Sequence, residues 1–202
     1  DLFARLGAGV IDTDEIAHRL TQAGGAAIPA IRAAFGNAYV DDEGALDRGK
    51  MRGLIFSDAA AKKRLEMILH PLIQEQARAQ LLQMPAKPYI IIVVPLLPES
   101  PAFRQLVQRI IVVDCTEDTQ VARVIARNRM SEPEVRAVIA QQTPRAERLK
   151  LADDVIRNDA GMDSLAAQVT FLHERYLDSL NNRLKTFDGT TDETTSHPTK
   201  QP

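Results

Sequence analysis

Apolar positions change their period along this chain, and the changes divide it into elements. Leu2, Phe3 and Leu6 recur at near-helical spacing, and the glycines from Gly7 to Gly9 predict where that short helix stops. Val10-Ile11 followed by two acids reads as a strand ending at a carboxyl edge, with a helix beginning at Glu15. The pattern is then helical until about residue 84. Gly24-Gly25 reads as a flexible corner, and Ile28, Ile31 and Phe35 form one stripe that Gly36 ends. Leu46, Met51, Leu54 and Ile55 fit a helix after Asp47. Ser57 or Asp58 caps a further helix carrying Leu65, Ile68 and Leu69. His70-Pro71 predicts a break, because the residue before a proline is pushed out of helical geometry; Pro71 then opens a new helix through Ile73, Ala77 and Leu81.

Beyond Pro85 and Pro88 the period changes again. Tyr89-Ile-Ile-Ile-Val-Val94 is continuously apolar and largely β-branched, the composition of a parallel strand covered on both faces. Arg109-Ile-Ile-Val-Val-Asp114 repeats it, and Asp154-Val-Ile156 is a shorter version. Between these last two lie helices carrying Val121, Val124 and Ile125, then Val135, Val138 and Ile139, the second opened by a capping box at Ser131-Glu-Pro-Glu134. A long final helix starts at Asp163 or Ser164 and carries Leu165, Val169, Leu172, Tyr176 and Leu180. From Thr186 to Pro202 the chain is polar, with little to bury, and reads as a disordered tail. Strands alternating with helices predict an α/β fold with a doubly wound parallel sheet, whose ligands bind at the carboxyl ends of strands. That rule directs attention to Asp12, Asp14, Pro95, Leu96, Asp114 and Asn158.

Composition narrows the class. A length of 202 residues allows about 70 % of the unfolded surface to be buried, enough for one body with an inserted subdomain. A net charge of -2 argues against a nucleic-acid partner or an anionic membrane surface. No apolar run approaches the roughly 20 residues of a membrane span. The single cysteine, Cys115, excludes a disulfide scaffold and fits a reducing compartment, so a cytoplasmic location is expected; the thiol itself reads as packing. The four histidines (18, 70, 173 and 197) do not cluster with Cys or paired acids, so no metal site is expected from side chains.

Three groups of residues could carry chemistry, each with a bland counterpart. Asp14 or Thr13 could simply cap a helix, whereas a strand-end carboxylate such as Asp12 or Asp14 could orient a hydroxyl and accept its proton. Arg123, Arg127, Arg129, Arg136, Arg145, Arg148 and Lys150 crowd one stretch, and Arg123 and Arg127 share a helix face. They could form a solvated hairpin bridged to Glu117, Asp118, Glu132, Glu134 and Glu147. They could equally form a lid that closes on phosphates, because guanidinium matches phosphate oxygens. His70 could fix a kink between helices or face a ligand.

The order of these motifs is specific. Leu6-Gly7 with Val10-Ile-Asp-Thr-Asp14, Leu46-Asp-Arg48, Ile55-Phe-Ser-Asp58, Ile68-Leu-His-Pro71, Val94-Pro-Leu-Leu97 with Glu99, Gln142 with Arg145 and Arg148, and Ala152-Asp-Asp-Val-Ile156 with Asn158 together resemble the dephospho-coenzyme A kinase family of P-loop small-molecule kinases over about residues 2 to 180. The resemblance implies phosphorylation of the ribose 3′-hydroxyl of dephospho-coenzyme A by ATP with Mg²⁺, the last step of coenzyme A synthesis. It implies a core of the nucleoside-monophosphate-kinase type formed by residues 1–15, 89–117 and 151–185, a helical coenzyme A subdomain at 16–88, a lid at 118–150 and a tail at 186–202. It puts Asp14 in the place of the base with Asp12 beside it, and Arg123 and Arg127 on lid arginines. Arg48, His70, Pro95 and Leu96 fall on the acceptor side, with Arg145 and Asn158 near the nucleotide.

Two departures accompany the resemblance. Pro98 stands where the family usually has a large apolar residue. The spacing G-x-x-x-x-G-K-[ST] occurs nowhere in the 202 residues. The family's first strand and phosphate loop, which lie between the strands ending at Val94 and Asp114, are therefore not in this sequence, and the chain by itself reads as an inactive fragment. Two other readings compete: a non-catalytic nucleotide or coenzyme A binding module, and a different small-molecule kinase of the same fold.

Overall fold

Glycine geometry and capping acids set where the elements begin and end in this computed structural model, which describes residues 1–95, 101–128 and 130–188. The first helix, α1 (Leu2–Arg5), stops at Gly7, whose φ of +101° suits a residue without Cβ. Strand β1 (Gly9–Asp12) follows and leads directly into α2 (Thr13–Leu20). The corner at Gly24-Gly25 is a specified turn rather than a flexible one: Gly24 has φ +72°, and a Cβ on Gly25 would lie 2.3 Å from the Leu20 carbonyl oxygen. Helix α3 (Ile28–Phe35) ends at Gly36, and α4 (Arg48–Ser57) is capped by Asp47, as the pattern predicts.

The expected break at His70-Pro71 does not occur. Asp58 caps α5 (Ala59–Gln83), which runs continuously through Pro71 for 25 residues. An interior proline removes one backbone hydrogen bond and costs about 3 kcal/mol. Here α5 packs against α2, α3, α4 and β1, burying Ala61 and Leu65 before the proline and Ala77 after it, and that burial on both sides holds one helix together.

The remaining elements are β2 (Ile90–Val93), α6 (Pro101–Arg104), β3 (Ile111–Asp114), α7 (Glu117–Asn128), α8 (Glu132–Ala140), α9 (Arg145–Lys150), β4 (Asp154–Arg157) and α10 (Met162–Asp188). The last helix extends through Asp188, so residues 186–188, expected in the tail, are helical; residues 189–202 lie outside the described residues. Among the described residues both strand pairs are parallel, as an α/β protein of this pattern requires, and only an isolated bridge, Val40↔Leu46, is antiparallel. Strand β1 pairs with β2 from Gly9↔Ile90 to Asp12↔Val93, and β3 pairs with β4 from Ile111↔Asp154 to Asp114↔Arg157. The two pairs are not hydrogen-bonded to each other among the described residues. The strands are consequently less covered than their apolar composition predicts. Val113 is 61 % exposed, and among the described residues β3 pairs with β4 alone.

Two apolar clusters follow from this division. Ile11, Ile16, Leu20, Ile31, Met51 and Leu65 form the larger, joining β1 to the helices that follow it. Ile156, Val169 and Leu172 form the smaller, with Leu2 and Phe3 of α1 packed on it. The candidate acids at the carboxyl ends of the strands differ in exposure: Asp14 faces solvent past β1, whereas Asp114 is buried at the end of β3.

Candidate active site

The end of β1 sorts its two acids by backbone geometry. Asp12 is extended (φ -106°, ψ 114°), and its Oδ1 accepts the N–H groups of Asp14 (2.9 Å) and Glu15 (3.3 Å). Asp12 is therefore the cap, not Thr13 or Asp14, and α2 starts at Thr13 rather than Glu15. The Thr13 hydroxyl instead donates to the Val93 carbonyl at 2.8 Å, fastening the start of α2 to the end of β2. Asp14 is left without capping duty, and among the described residues nothing hydrogen-bonds or ion-pairs with its carboxylate. Loss of part of its water, and secondarily the Asp12 charge, hold its carboxyl above the ordinary carboxylate value. A solvent-facing carboxylate with a raised pKa and free lone pairs can accept a proton from a hydroxyl.

Of the other acceptor-side candidates, Arg48 is bonded to the end of α2. Arg48 opens α4, and its Nη2 donates to the Thr21 hydroxyl at 3.0 Å, which in turn donates to the Ala17 carbonyl at 2.8 Å. Thr21 closes α2 at the end opposite Asp14, about 10 Å along the axis at 1.5 Å per residue, so Arg48 and Asp14 mark the two ends of one helix. His70 is half-buried within α5, which packs on α2. Pro95 is exposed two residues past Val93, close in sequence to the Thr13 tether. Leu96 and Pro98 lie outside the described residues.

The second group gathers at the carboxyl ends of β3 and β4. The Asp114 side chain keeps only 2 % exposure, and Arg145 grips it with a fork: Nε to Oδ1 at 2.7 Å and Nη2 to Oδ2 at 2.5 Å. These bonds draw the Asp114 carboxyl below its ordinary value against the effect of burial, with Arg157, 3.8 Å away, adding to the pull. The Asn158 N–H donates to the Asp114 carbonyl at 2.7 Å, and Asp159 accepts from the Thr116 N–H at 2.7 Å. Arg123 and Arg127 stand four apart on the exposed side of α7, and among the described residues neither meets a carboxylate; Arg127 Nε donates to Asn128 at 3.2 Å. The acids of the cluster bridge elsewhere, Asp118 and Glu132 to Arg136 and Glu147 to Lys150.

The two groups remain distinct: among the described residues no hydrogen bond or ion pair joins Asp14 to Arg123, Arg127, Arg145 or Asn158. Sequence reasoning considered Thr13 only as a cap and gave Asp114 no role, although the strand-end rule points to Asp114. It also passed over Asp154, a buried acid that accepts hydrogen bonds from Arg109 (3.0 Å), Tyr176 (2.7 Å) and Arg175. Its only signal was an acid at the start of an apolar strand. Among the described residues no three His, Cys, Asp or Glu side chains are grouped to hold a metal ion.

Comparison with known proteins gives the family and the fold. The family model described as Dephospho-CoA kinase matches residues 1–164. A dephospho-CoA kinase of Nitrosospira multiformis is 51 % identical over 177 residues, covering 88 % of each chain. One from Aromatoleum aromaticum is 54 % identical over 177 residues, covering 88 % of this chain and 86 % of the relative. Among solved structures, TT1252 from Thermus thermophilus superposes with a TM-score of 0.71 at 30 % identity, covering 86 % of this chain and 87 % of that one. A dephospho-CoA kinase from Campylobacter jejuni shares the fold with a TM-score of 0.62 at 24 % identity, covering 87 % of this chain and 88 % of its own.

Proposed function

This chain belongs to the dephospho-CoA kinase family, and we infer that it serves the family's reaction, transfer of the γ-phosphoryl group of ATP to the ribose 3′-hydroxyl of dephospho-CoA. A bond forms between the 3′-oxygen and the γ-phosphorus as the bond to the β-phosphate bridging oxygen breaks, and ADP leaves. The hydroxyl proton must go to a base. The observation that supports Asp14 in that role is its free, partly desolvated carboxylate, released from capping by Asp12.

In this reading the acceptor lies along α2, with Asp12 and Asp14 at one end and Arg48 at the other, and His70, Pro95 and Leu96 are assigned to it by the family resemblance. Arg145 and Asn158 serve the nucleotide. Arg123 and Arg127, unpaired with acids, meet the charge that spreads over the transferring group. Mg²⁺ supplies charge neutralisation when bound. In this reading it would be held through the ATP phosphates and the family's phosphate loop, which is not in these 202 residues. Residues 1–15, 89–117 and 151–185 form the nucleotide core, 16–88 the coenzyme A subdomain and 118–150 the lid. Among the described residues no helix is long and apolar enough to cross a membrane, and a cytoplasmic site of action suits a reaction that consumes ATP.

The test is ADP release by the full-length enzyme against a panel of hydroxyl acceptors. Dephospho-CoA should be phosphorylated in preference to nucleoside monophosphates. Turnover on another acceptor alone would favour a different small-molecule kinase, and nucleotide binding without any turnover would favour a binding module.

A further inference from the structure

Asp114 occupies an unusual place for a charged side chain. It is buried to 2 % exposure at the carboxyl end of β3, the edge where ligands of α/β sheets bind, yet its main partner, Arg145, remains 42 % exposed. The fork uses two of the guanidinium's five N–H donors, those of Nε and one on Nη2, and leaves both on Nη1 for another partner. Arg145 also lines a cavity of about 230 Å³, together with Gln120, Gln142, Thr143 and Arg148. The Arg148 guanidinium, by contrast, is turned to the Thr143 carbonyl at 2.8 Å. The Asp114 backbone carries the other half of the arrangement, because its carbonyl receives the Asn158 N–H at 2.7 Å. A single buried acid thus holds both residues that the family reading puts beside the nucleotide.

We propose that Asp114 is a positioning residue for nucleotide binding, locking the Arg145 guanidinium so that its free Nη1 edge is presented to ATP. An arginine has several rotatable bonds, and an unanchored one would lose that freedom only on binding the nucleotide; the fork removes it beforehand. The inference rests on the assignment of Arg145 to the nucleotide side. Arg157 is a lesser partner, 71 % exposed and 3.8 Å away, with no part in the fork.

The experiment measures ATP and dephospho-CoA affinity by calorimetry, together with Tm, for the full-length enzyme and its variants. Asp114→Asn should weaken ATP binding about tenfold, the scale on which loss of an orienting partner is felt, with the dephospho-CoA Kd unchanged. Arg145→Ala should weaken ATP binding at least as much, and the double variant no further, because the two residues act as one unit. Arg157→Ala should leave the ATP Kd unchanged. Failure of the unaltered enzyme to bind ATP would overturn the kinase reading and this inference with it. ATP binding indifferent to Arg145→Ala would overturn the assignment of that residue. Binding sensitive to Arg145→Ala but not to Asp114→Asn, equal weakening of both substrates, or additive losses in the double variant would overturn the positioning role alone. Should Asp114→Asn not fold, Arg145→Lys takes its place, since it keeps the charge and loses the fork; an unchanged ATP Kd would then refute the proposal.

Discussion

Asp12 and Asp14 carry the same functional group two residues apart, and the first turn of α2 gives them different work. Asp12 commits its carboxylate to two backbone N–H groups, so Asp12→Ala should cost about 1 kcal/mol of stability. Asp14 holds no such bonds, so in the full-length enzyme, with its phosphate loop, Asp14→Asn should leave Tm nearly unchanged while lowering kcat by about 10²–10⁴-fold, the range of a general base. ATP affinity should be unaffected. A variant that kept its rate and lost only stability would return Asp14 to a structural role. The pH dependence has a definite sign. A base must be ionised, and the Asp14 pKa is raised, first by desolvation and then by Asp12, so the acid limb of kcat/KM, which reports the free enzyme, should lie higher than an unperturbed aspartate would place it. Asp12→Asn removes the second cause and should shift that limb toward lower pH, measurable in the kcat/KM profile.

At the scale of elements, α7 and α8 separate two kinds of arginine. Arg136 pairs with Glu132 of its own helix at 2.8 Å and reaches across the hairpin to Asp118 at 3.2 Å, both solvent-facing pairs of small worth. Arg136→Ala should change stability by no more than about 0.5 kcal/mol and leave the rate alone. Arg123 and Arg127, with no carboxylate partner among the described residues, are free to meet charge that grows in the transition state. Ala at either position should therefore lower kcat more than it raises the KM for ATP. Arg127→Lys should restore only part of the loss, since an ammonium lacks the planar fork. Steady-state kinetics of the three Ala variants in the full-length enzyme decides the matter, and equal small effects would make the whole group a solvated surface.

For the molecule as a whole, Asp154 joins β4 to α10 and to the segment before β3. Burial would raise its pKa, but hydrogen bonds from Tyr176 and Arg109 and the charges of Arg109 and Arg175 bring it below the ordinary value. Burial, and with it the same contact, pushes the Tyr176 hydroxyl upward. A carboxyl whose pKa is depressed on folding contributes stability above its unfolded value of about 3.9 and loses it as pH falls through the folded value. Asp154→Asn should therefore cost about 1–3 kcal/mol at neutral pH, the scale of hydrogen bonds to a charged group left unmade. It should also flatten the decline in stability below about pH 4. Urea unfolding at pH 7 and pH 3 measures both, and a parallel pH dependence in the variant would remove Asp154 from the account.

Local chemistry in the sequence determined much of this protein. The stripes of α3 and α4, the caps at Asp47 and Asp58, the box at Ser131–Glu134 and the β-branched runs of β2 and β3 each depend on residues within a few positions of one another, and each stands where the pattern puts it. The strand-end acids and the order of family motifs were legible for the same reason. Tertiary structure alone decided the rest. Whether Asp12 or Asp14 caps α2 depended on where the helix starts, and that start is fastened by a bond from Thr13 to Val93, 80 residues away. Pro71 stays inside α5 because helices from elsewhere in the chain cover both sides of it. Asp114 acquires its partner across 31 residues, and no periodicity reports a contact that exists only once β3 and α9 have met.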